Sequence, residues 1–206
     1  MYCILVTGIP AAGKSTMAQA LAEKMHLPLL SKDVIKERLF DTIGFQSRAE
    51  KVKLGTASME ILYYAAGQLM RAGQPFILEN NFEYSSEPGI KDLLKKYQYP
   101  ALTILLTGDH KAIYQRFLER ENSPARHRGH IVNDCYPEKE GHAPKPLKPP
   151  LAYEDYVQGI EQRGFEAFSV GGGQIQVDTT DFSQVDIAAL LSQIAAWRQT
   201  IPHSRP

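Results

Sequence analysis

The chain has 206 residues, which suits one domain with an inserted loop or lid better than two full domains. An apolar fraction of 43% and a charged fraction of 22% exclude a disordered or collagen-like chain. Its 23 basic residues balance its 23 acidic ones, which argues against a protein that coats nucleic acid through bulk charge and still allows a local basic groove.

Residues 2–7 (Tyr-Cys-Ile-Leu-Val-Thr) form a short apolar run ended by Gly8, the pattern of a buried parallel strand. Residues 14–25 follow as a helix with Met17, Ala18, Leu21, Ala22 and Met25 on one face. Residues 28–30 make a second strand, and Ser31 or Asp33 is placed to cap a helix over 33–40. A long helix is expected over 48–72, with Ile61, Ala65 and Leu69 at spacing four and Gly73 as its stop. A third strand spans 74–79, a helix 86–97, a fourth strand 101–106, and a helix 110–121 with Ile113 and Phe117 inward.

The character then changes. Residues 122–150 carry six of the 13 prolines and three of the six histidines, with no periodicity, so a long loop or lid is expected. Regular structure resumes with a short helix over 153–162, a fifth strand over 174–177 and a last helix marked by Ile187, Leu191 and Ile194. The tail over 201–206 is expected to be loose. Strands alternating with helices define an α/β domain, mainly parallel and three-layered, with right-handed crossovers.

Cys3 lies in the apolar first strand and is expected to be a buried thiol; with only Cys135 besides, a reducing cytoplasm is the expected setting. Met1–Val6 lacks a basic leader, and no apolar run approaches the roughly 18 residues of a membrane span, so a soluble protein without a membrane partner is expected.

Gly8-Ile9-Pro10-Ala11-Ala12-Gly13-Lys14-Ser15 matches G-x-x-x-x-G-K-[ST] in full, between a strand and a helix as that motif requires. The backbone of Gly8, Ala11, Ala12 and Gly13 is expected to cradle phosphates at a helix N-terminus. Lys14 is expected to reach the β and γ phosphates, Ser15 to bind Mg²⁺, and Thr16 to contact the α phosphate. The motif establishes a nucleoside triphosphate site and leaves the fate of the γ phosphate open.

Asp33 follows the second strand, at the sheet end where ligands of open parallel sheets sit. A carboxylate there can accept the proton of a substrate hydroxyl; it can equally cap a helix. Glu79 ends the third strand and can hold Mg²⁺ through water or hold the attacking group, or be an ordinary polar residue at a strand end, with Asn80 and Asn81 as weaker candidates. Arg116 and Arg120 share one helix face, and Arg126 and Arg128 follow in the loop; Arg120, Arg126 and Arg128 are the candidates for covering a transferring phosphoryl group. His127, His130, Cys135 and His142 offer zinc-ligand types at a spacing that matches no standard site, and the same residues could serve a lid or touch substrate. Val177–Asp181 can lie along an adenine or simply cap the next helix.

The G-x-P-x-x-G-K-S-T run at 8–16, Ser31-x-Asp33, the arginine-rich stretch after the fourth strand and the late Val-Asp-Thr-Thr resemble the small P-loop kinases, in particular the chloramphenicol phosphotransferase-like and polynucleotide-kinase-like ATPases, with the zeta-toxin kinases more distant. The resemblance spans most of 1–121 and 174–197. It implies one three-layer α/β/α P-loop NTPase domain over 1–206, a sheet in 2-3-1-4-5 order, a lid, and ATP–Mg²⁺ as donor. It also implies Asp33 as hydroxyl-activating base, phosphate-binding roles for Gly13, Lys14, Ser15 and Thr16, and lid roles for Arg120, Arg126 and Arg128. Glu79 departs from the Asp often found there, and the 122–150 insert has no counterpart from which an acceptor could be copied. The expected activity is transfer of the γ phosphate of ATP to a hydroxyl, with a small molecule ahead of a polynucleotide 5′-hydroxyl as acceptor and an acceptor-free hydrolase or switch as the rival.

Overall fold

A computed structural model describes residues 1–138, 149 and 151–201. The elements in chain order are β1 (Cys3–Gly8), α1 (Lys14–Met25), β2 (Leu29–Ser31), α2 (Lys32–Thr42), α3 (Arg48–Arg71), β3 (Phe76–Glu79), α4 (Glu87–Tyr97), β4 (Ala101–Thr107), α5 (His110–Glu121), α6 (Arg128–Ile131), α7 (Tyr153–Arg163), β5 (Gly173–Asp178), a 3₁₀ turn (Phe182–Gln184) and α8 (Ile187–Thr200).

The five strands form one parallel sheet in the order β2-β3-β1-β4-β5, as expected. β1 is buried along its whole length, which explains its unbroken apolar run. Successive side chains alternate between faces. Ile4 and Val6 pack with Met17 and Leu21 of α1, Ile113 of α5, Tyr156 and Ile160 of α7, and Leu190 and Ile194 of α8. Cys3 and Leu5 point to the other face, against Leu62, Ala66 and Met70 of α3 and Ile90 of α4. Helices therefore cover both sheet faces, and Cys3 is a buried free thiol.

Several boundaries moved for local reasons. β3 starts at Phe76, after Pro75, which has no N–H to give to a ladder. In α3 the buried residues at spacing four are Ser58, Leu62, Ala66 and Met70, one residue beyond the Ile61–Ala65–Leu69 series, with Lys51 and Gly67 buried besides; Ile61 is exposed. Ile201 packs against the first core, while 202–206 lie outside the described residues.

The long loop expected over 122–150 carries regular structure in its first half. Residues 128–131 form the helical turn α6, and the chain then packs on α2 and α3. Phe40, Phe45 and Val132 form a third buried cluster with Leu54 and Tyr136. The Phe45 and Tyr136 backbones exchange hydrogen bonds of 2.7 and 2.8 Å. Lys51, buried on α3, donates to the carbonyls of His130 (2.7 Å) and Val132 (2.6 Å) and to Asn133 Oδ1 (3.0 Å). Those three bonds use every donor an ammonium has. Residues 139–148 and 150, with His142 and three of the prolines, lie outside the described residues. Among the described residues no helix is long and apolar enough to cross a membrane.

Candidate functional site

The site is built where the carboxyl ends of β1, β2 and β3 meet the start of α1. Gly8 ends β1 at φ +142°, and a Cβ there would stand 2.3 Å from the Leu106 carbonyl oxygen. Only glycine lets the chain leave the sheet while still in contact with β4. Gly13 (φ +90°) precedes α1, and a Cβ on it would meet the Phe182 ring at 2.4 Å, so the 3₁₀ turn packs directly against the loop. The Tyr156 hydroxyl of α7 donates to the Pro10 carbonyl at 2.7 Å and holds the loop from another side.

Lys14 is buried and donates to the Ile9 carbonyl at 2.8 Å. Burial pushes its ammonium down to about 8; Glu79 and Asp33 pull it up, and Arg120 and Arg126 add to the depression. Ser15 Oγ donates to Glu79 Oε1 at 3.2 Å, and Ser31 Oγ donates to Glu79 Oε2. Register explains this meeting, because Glu79 pairs with Val6 on one side and Ser31 on the other. Burial raises the Glu79 carboxyl against the opposing pull of the Ser31 hydrogen bond and Lys14. Ser31 therefore spends its hydroxyl on Glu79 and makes no side-chain cap on α2.

A cavity of about 530 Å³ opens over the loop, lined by Ala11, Gly13, Lys14, Ser15 and Thr16 on one side and Arg116, Arg120 and Arg126 on the other. Gly8 and Ala12 lie off its wall; Ala12 is fully buried, and its N–H is used by the Ile9 carbonyl at 3.2 Å. Arg116 Nε and Nη2 are buried without a hydrogen-bond partner among the described residues. Arg126 Nε is buried without a hydrogen bond and lies 3.4 Å from Glu121 Oε1, which also takes Arg120 Nη2 at 3.0 Å. Buried guanidinium donors without acceptors are costly. A polyphosphate in this cavity would supply the missing oxygens, and the Ser15 hydroxyl and Glu79 carboxylate are hard oxygen donors of the kind Mg²⁺ takes.

Of the expected arginines, Arg120 and Arg126 are thus on the cavity wall and Arg128 is not. Arg128 makes a bidentate pair with Glu138 at 2.6 and 2.9 Å. Arg116, outside the expected trio, is the one with the barest guanidinium. Its signal in the sequence was its spacing of four from Arg120; which way that face points depends on how α5 docks.

Asp33 sits in the first turn of α2, with its side chain 47% exposed and Lys32 Nζ 4.0 Å away. Desolvation works to raise its carboxyl, but the neighbouring His130 imidazole and the cations Lys32, Lys36 and Arg126 outweigh that and hold it below the usual range. It lines the loop cavity and also a second cavity of about 400 Å³ between α2, α3 and the segment after β3. Asn81 likewise lines both.

The histidines have local partners. His130 Nε2 lies 2.9 Å from Glu37 Oε1, and burial drives its imidazole toward the neutral form. His127 Nδ1 accepts from the Gly129 N–H at 3.1 Å, so the Nε2 that lies 3.0 Å from Asp41 Oδ1 carries the proton. Among the described residues no three His, Cys, Asp or Glu groups are arranged to hold a metal; His142 lies outside them. At the end of β5, Thr180 Oγ1 accepts from the Asp109 N–H at 2.8 Å and Asp181 caps the 3₁₀ turn.

Comparison with known proteins agrees with this architecture. A candidate kinase from Chloroflexus aurantiacus is 29% identical, with a TM-score of 0.77 over 95% of this chain and 97% of that one. Shikimate kinase from Acinetobacter baumannii, in complex with shikimate, matches with a TM-score of 0.56 at 14% identity over 95% and 94% of the two chains. A sugar kinase from Janibacter sp. HTCC2649 gives 0.54 at 15% identity over 98% and 96%. At such identities the last two likenesses speak for the fold, which is that of the P-loop kinases, a nucleotide-binding fold. No curated protein matches the chain. The AAA domain family model matches residues 3–132, a stretch that holds the phosphate loop, Asp33, Glu79 and the three cavity arginines, and the chain belongs to that family.

Proposed function

We propose that the protein is an ATP-dependent phosphotransferase that moves the γ phosphate of ATP to a hydroxyl of a small molecule, with Asp33 as the base. One observation carries this reading: Asp33 stands on the shared wall of two cavities, one lined by the phosphate loop and arginines and the other open to a second ligand. A hydrolase that uses water alone has no need of the second cavity.

In this reading the amides at the start of α1 and the Lys14 ammonium hold the triphosphate, Lys14 leaving the Ile9 carbonyl for phosphate oxygen. Ser15 and Glu79 would hold Mg²⁺, which would supply neutralisation of the phosphate charge. Arg116, Arg120 and Arg126 face the charge that spreads over the transferring group. Asp33, kept ionised at neutral pH by its positive neighbours, aligns the acceptor O–H and takes its proton. The new bond forms between acceptor oxygen and phosphorus, and the old phosphorus–oxygen bond breaks with its electron pair left on the nucleoside diphosphate.

The segment after α5 acts as the lid, bringing Arg126 over the loop while α6 rests on α2 and α3, within a single domain. The chloramphenicol phosphotransferase-like and polynucleotide-kinase-like groups are supported by the motifs at 8–16 and 31–33. The two free thiols suit a reducing cytoplasm.

The test is ³¹P NMR of the protein with ATP and Mg²⁺ in pools of hydroxyl compounds: antibiotics, sugars, hydroxy acids, nucleosides and 5′-hydroxyl oligonucleotides. A phosphate-ester signal that both Lys14→Ala and Asp33→Asn abolish is the expected result. Acceptor-independent phosphate release that survives Asp33→Asn would instead make the protein a hydrolase or switch.

A further inference from the structure

The second cavity says what kind of acceptor it takes, an inference that rests on the phosphotransferase reading of the same site. Its wall carries three cations, Lys32, Lys36 and Arg163, and three anions, Asp33, Glu60 and Glu83. Most of these charges are already answered. Arg163 is paired with Glu83, and Lys32 approaches Asp33 at 4.0 Å. Glu60 is exposed and keeps its water. Lys36 is different. It is half-buried between α2 and α3, with no hydrogen bond or ion pair among the described residues. Its ammonium faces the Phe40 ring at 5.4 Å from the centroid and lies against α3 at Gly55, where a Cβ would come within 3.7 Å of Nζ.

A lysine could have extended from this position into solvent, as amphipathic side chains usually do. Here it is folded over a cavity wall one helical turn from Asp33, on the same face of α2 by the i, i+3 spacing. The uncharged part of the wall matches a hydroxylated ligand: among the described residues the Asn81 side chain makes no hydrogen bond, and the Asn80 side chain has only a weak 3.7 Å contact to Met59 Sδ. Both can give and accept hydrogen bonds.

We propose that Lys36 is a specificity-determining residue that binds an acid group of the acceptor, so that the substrate is a small hydroxylated compound bearing one carboxylate or phosphate, with its reacting hydroxyl turned to Asp33 and Asn81. Cations and carboxylates balance on the wall, and Lys36 is the one cation there without a carboxylate partner among the described residues, so a single acid group on a small molecule is favoured over a nucleic-acid backbone, which needs a run of cations. Desolvation, with Lys32 nearby, lowers the Lys36 ammonium to about 8, which leaves it a cation at neutral pH and one that gains from an anionic partner.

The experiment follows the Lys36 Cε–Hε NMR signal in protein carrying ¹³C-labelled lysine, saturated with the non-hydrolysable analogue AMPPNP and Mg²⁺ so that the phosphate loop is filled. Inorganic phosphate and acetate are titrated separately, which tells a phosphate-bearing acceptor from a carboxylate-bearing one. The expected result is a saturable shift confined to Lys36 and its neighbours, with Kd on the order of 1 mM for one of the anions, and its loss in Lys36→Gln. This reads anion binding and needs no phosphoryl transfer, so it can succeed or fail whatever the NMR pools show. With an acceptor in hand, Lys36→Gln raises its KM by about 10- to 100-fold at nearly constant kcat, and Lys36→Arg restores most of it. No saturable shift with either anion, or a shift that survives Lys36→Gln, would overturn the proposal. Affinity that climbs with the length of a 5′-hydroxyl oligonucleotide would overturn it in favour of nucleic acid.

Discussion

At the scale of residues, the site is a set of charges held apart from their natural partners. Among the described residues Lys14 has one carbonyl, Arg116 two buried donors with no acceptor, and Lys36 an aromatic face. Such groups are costly in the empty protein and are repaid by ligand. A pH dependence follows. With ATP saturating, the triphosphate beside Lys14 restores its charge, so the alkaline limb of acceptor kcat/KM belongs to Lys36. A lysine whose folded pKa is depressed loses its proton early, so kcat/KM holds at neutral pH and falls above about 8. Asp33, held below its ordinary value, sets the acid limb below the usual carboxylate range. In Lys36→Arg the alkaline limb moves out of the measurable range, whereas a limb left at the same pH would exclude Lys36 as its source.

At the scale of elements, the phosphate loop was legible because strand, glycines, lysine and helix all had to coincide within 8–16, and they do. The position of Asp33 was legible from the sheet rule alone, and its capping role was not realised because α2 begins one residue earlier, with Ser31 turned to Glu79. Three things were not legible. The inward face of α3 differs by one residue from the apolar spacing, since apolar side chains occupy more than one side of that helix. A four-residue turn such as α6 is too short to show a period. Lys51 looks in the sequence like any helix lysine, and its partners lie about 80 residues away; the Glu138 carboxylate that pairs with Arg128 is only 10 residues along the chain, but nothing in a loop without periodicity signals that pairing. Lys51→Met leaves the buried Val132 carbonyl and the part-buried His130 carbonyl without that donor and frees α6 from α3. The expected cost is about 2–4 kcal/mol, or roughly 4–15 °C in Tm, in thermal unfolding of the ligand-free protein. A change within about 1 °C would mean that the clamp contributes nothing to holding the segment.

At the scale of the whole molecule, a parallel sheet buried on both faces fixes three strand ends side by side, and α2, α3 and the segment after α5 close over them. The fold was readable from alternating strands and helices, whereas the joining of two cavities at Asp33 and Asn81 needed the placement of α2 against β3. Because binding to the folded state alone adds stability, ATP–Mg²⁺ at about 100 times its Kd should add roughly 2.7 kcal/mol and raise Tm by about 5–11 °C. Lys14→Ala should lose most of that shift while keeping a folded, cooperative transition; an undiminished shift would place the nucleotide elsewhere.

Asp33 as the base is tested most directly by a single-turnover comparison of wild type and Asp33→Asn, with γ-labelled ATP, Mg²⁺ and the acceptor found in the phosphorus NMR pools, alongside calorimetric titration of the nucleotide. Transfer is expected to slow by about 10²- to 10⁴-fold with nucleotide affinity nearly unchanged. Transfer that proceeds at the wild-type rate in Asp33→Asn would contradict that role.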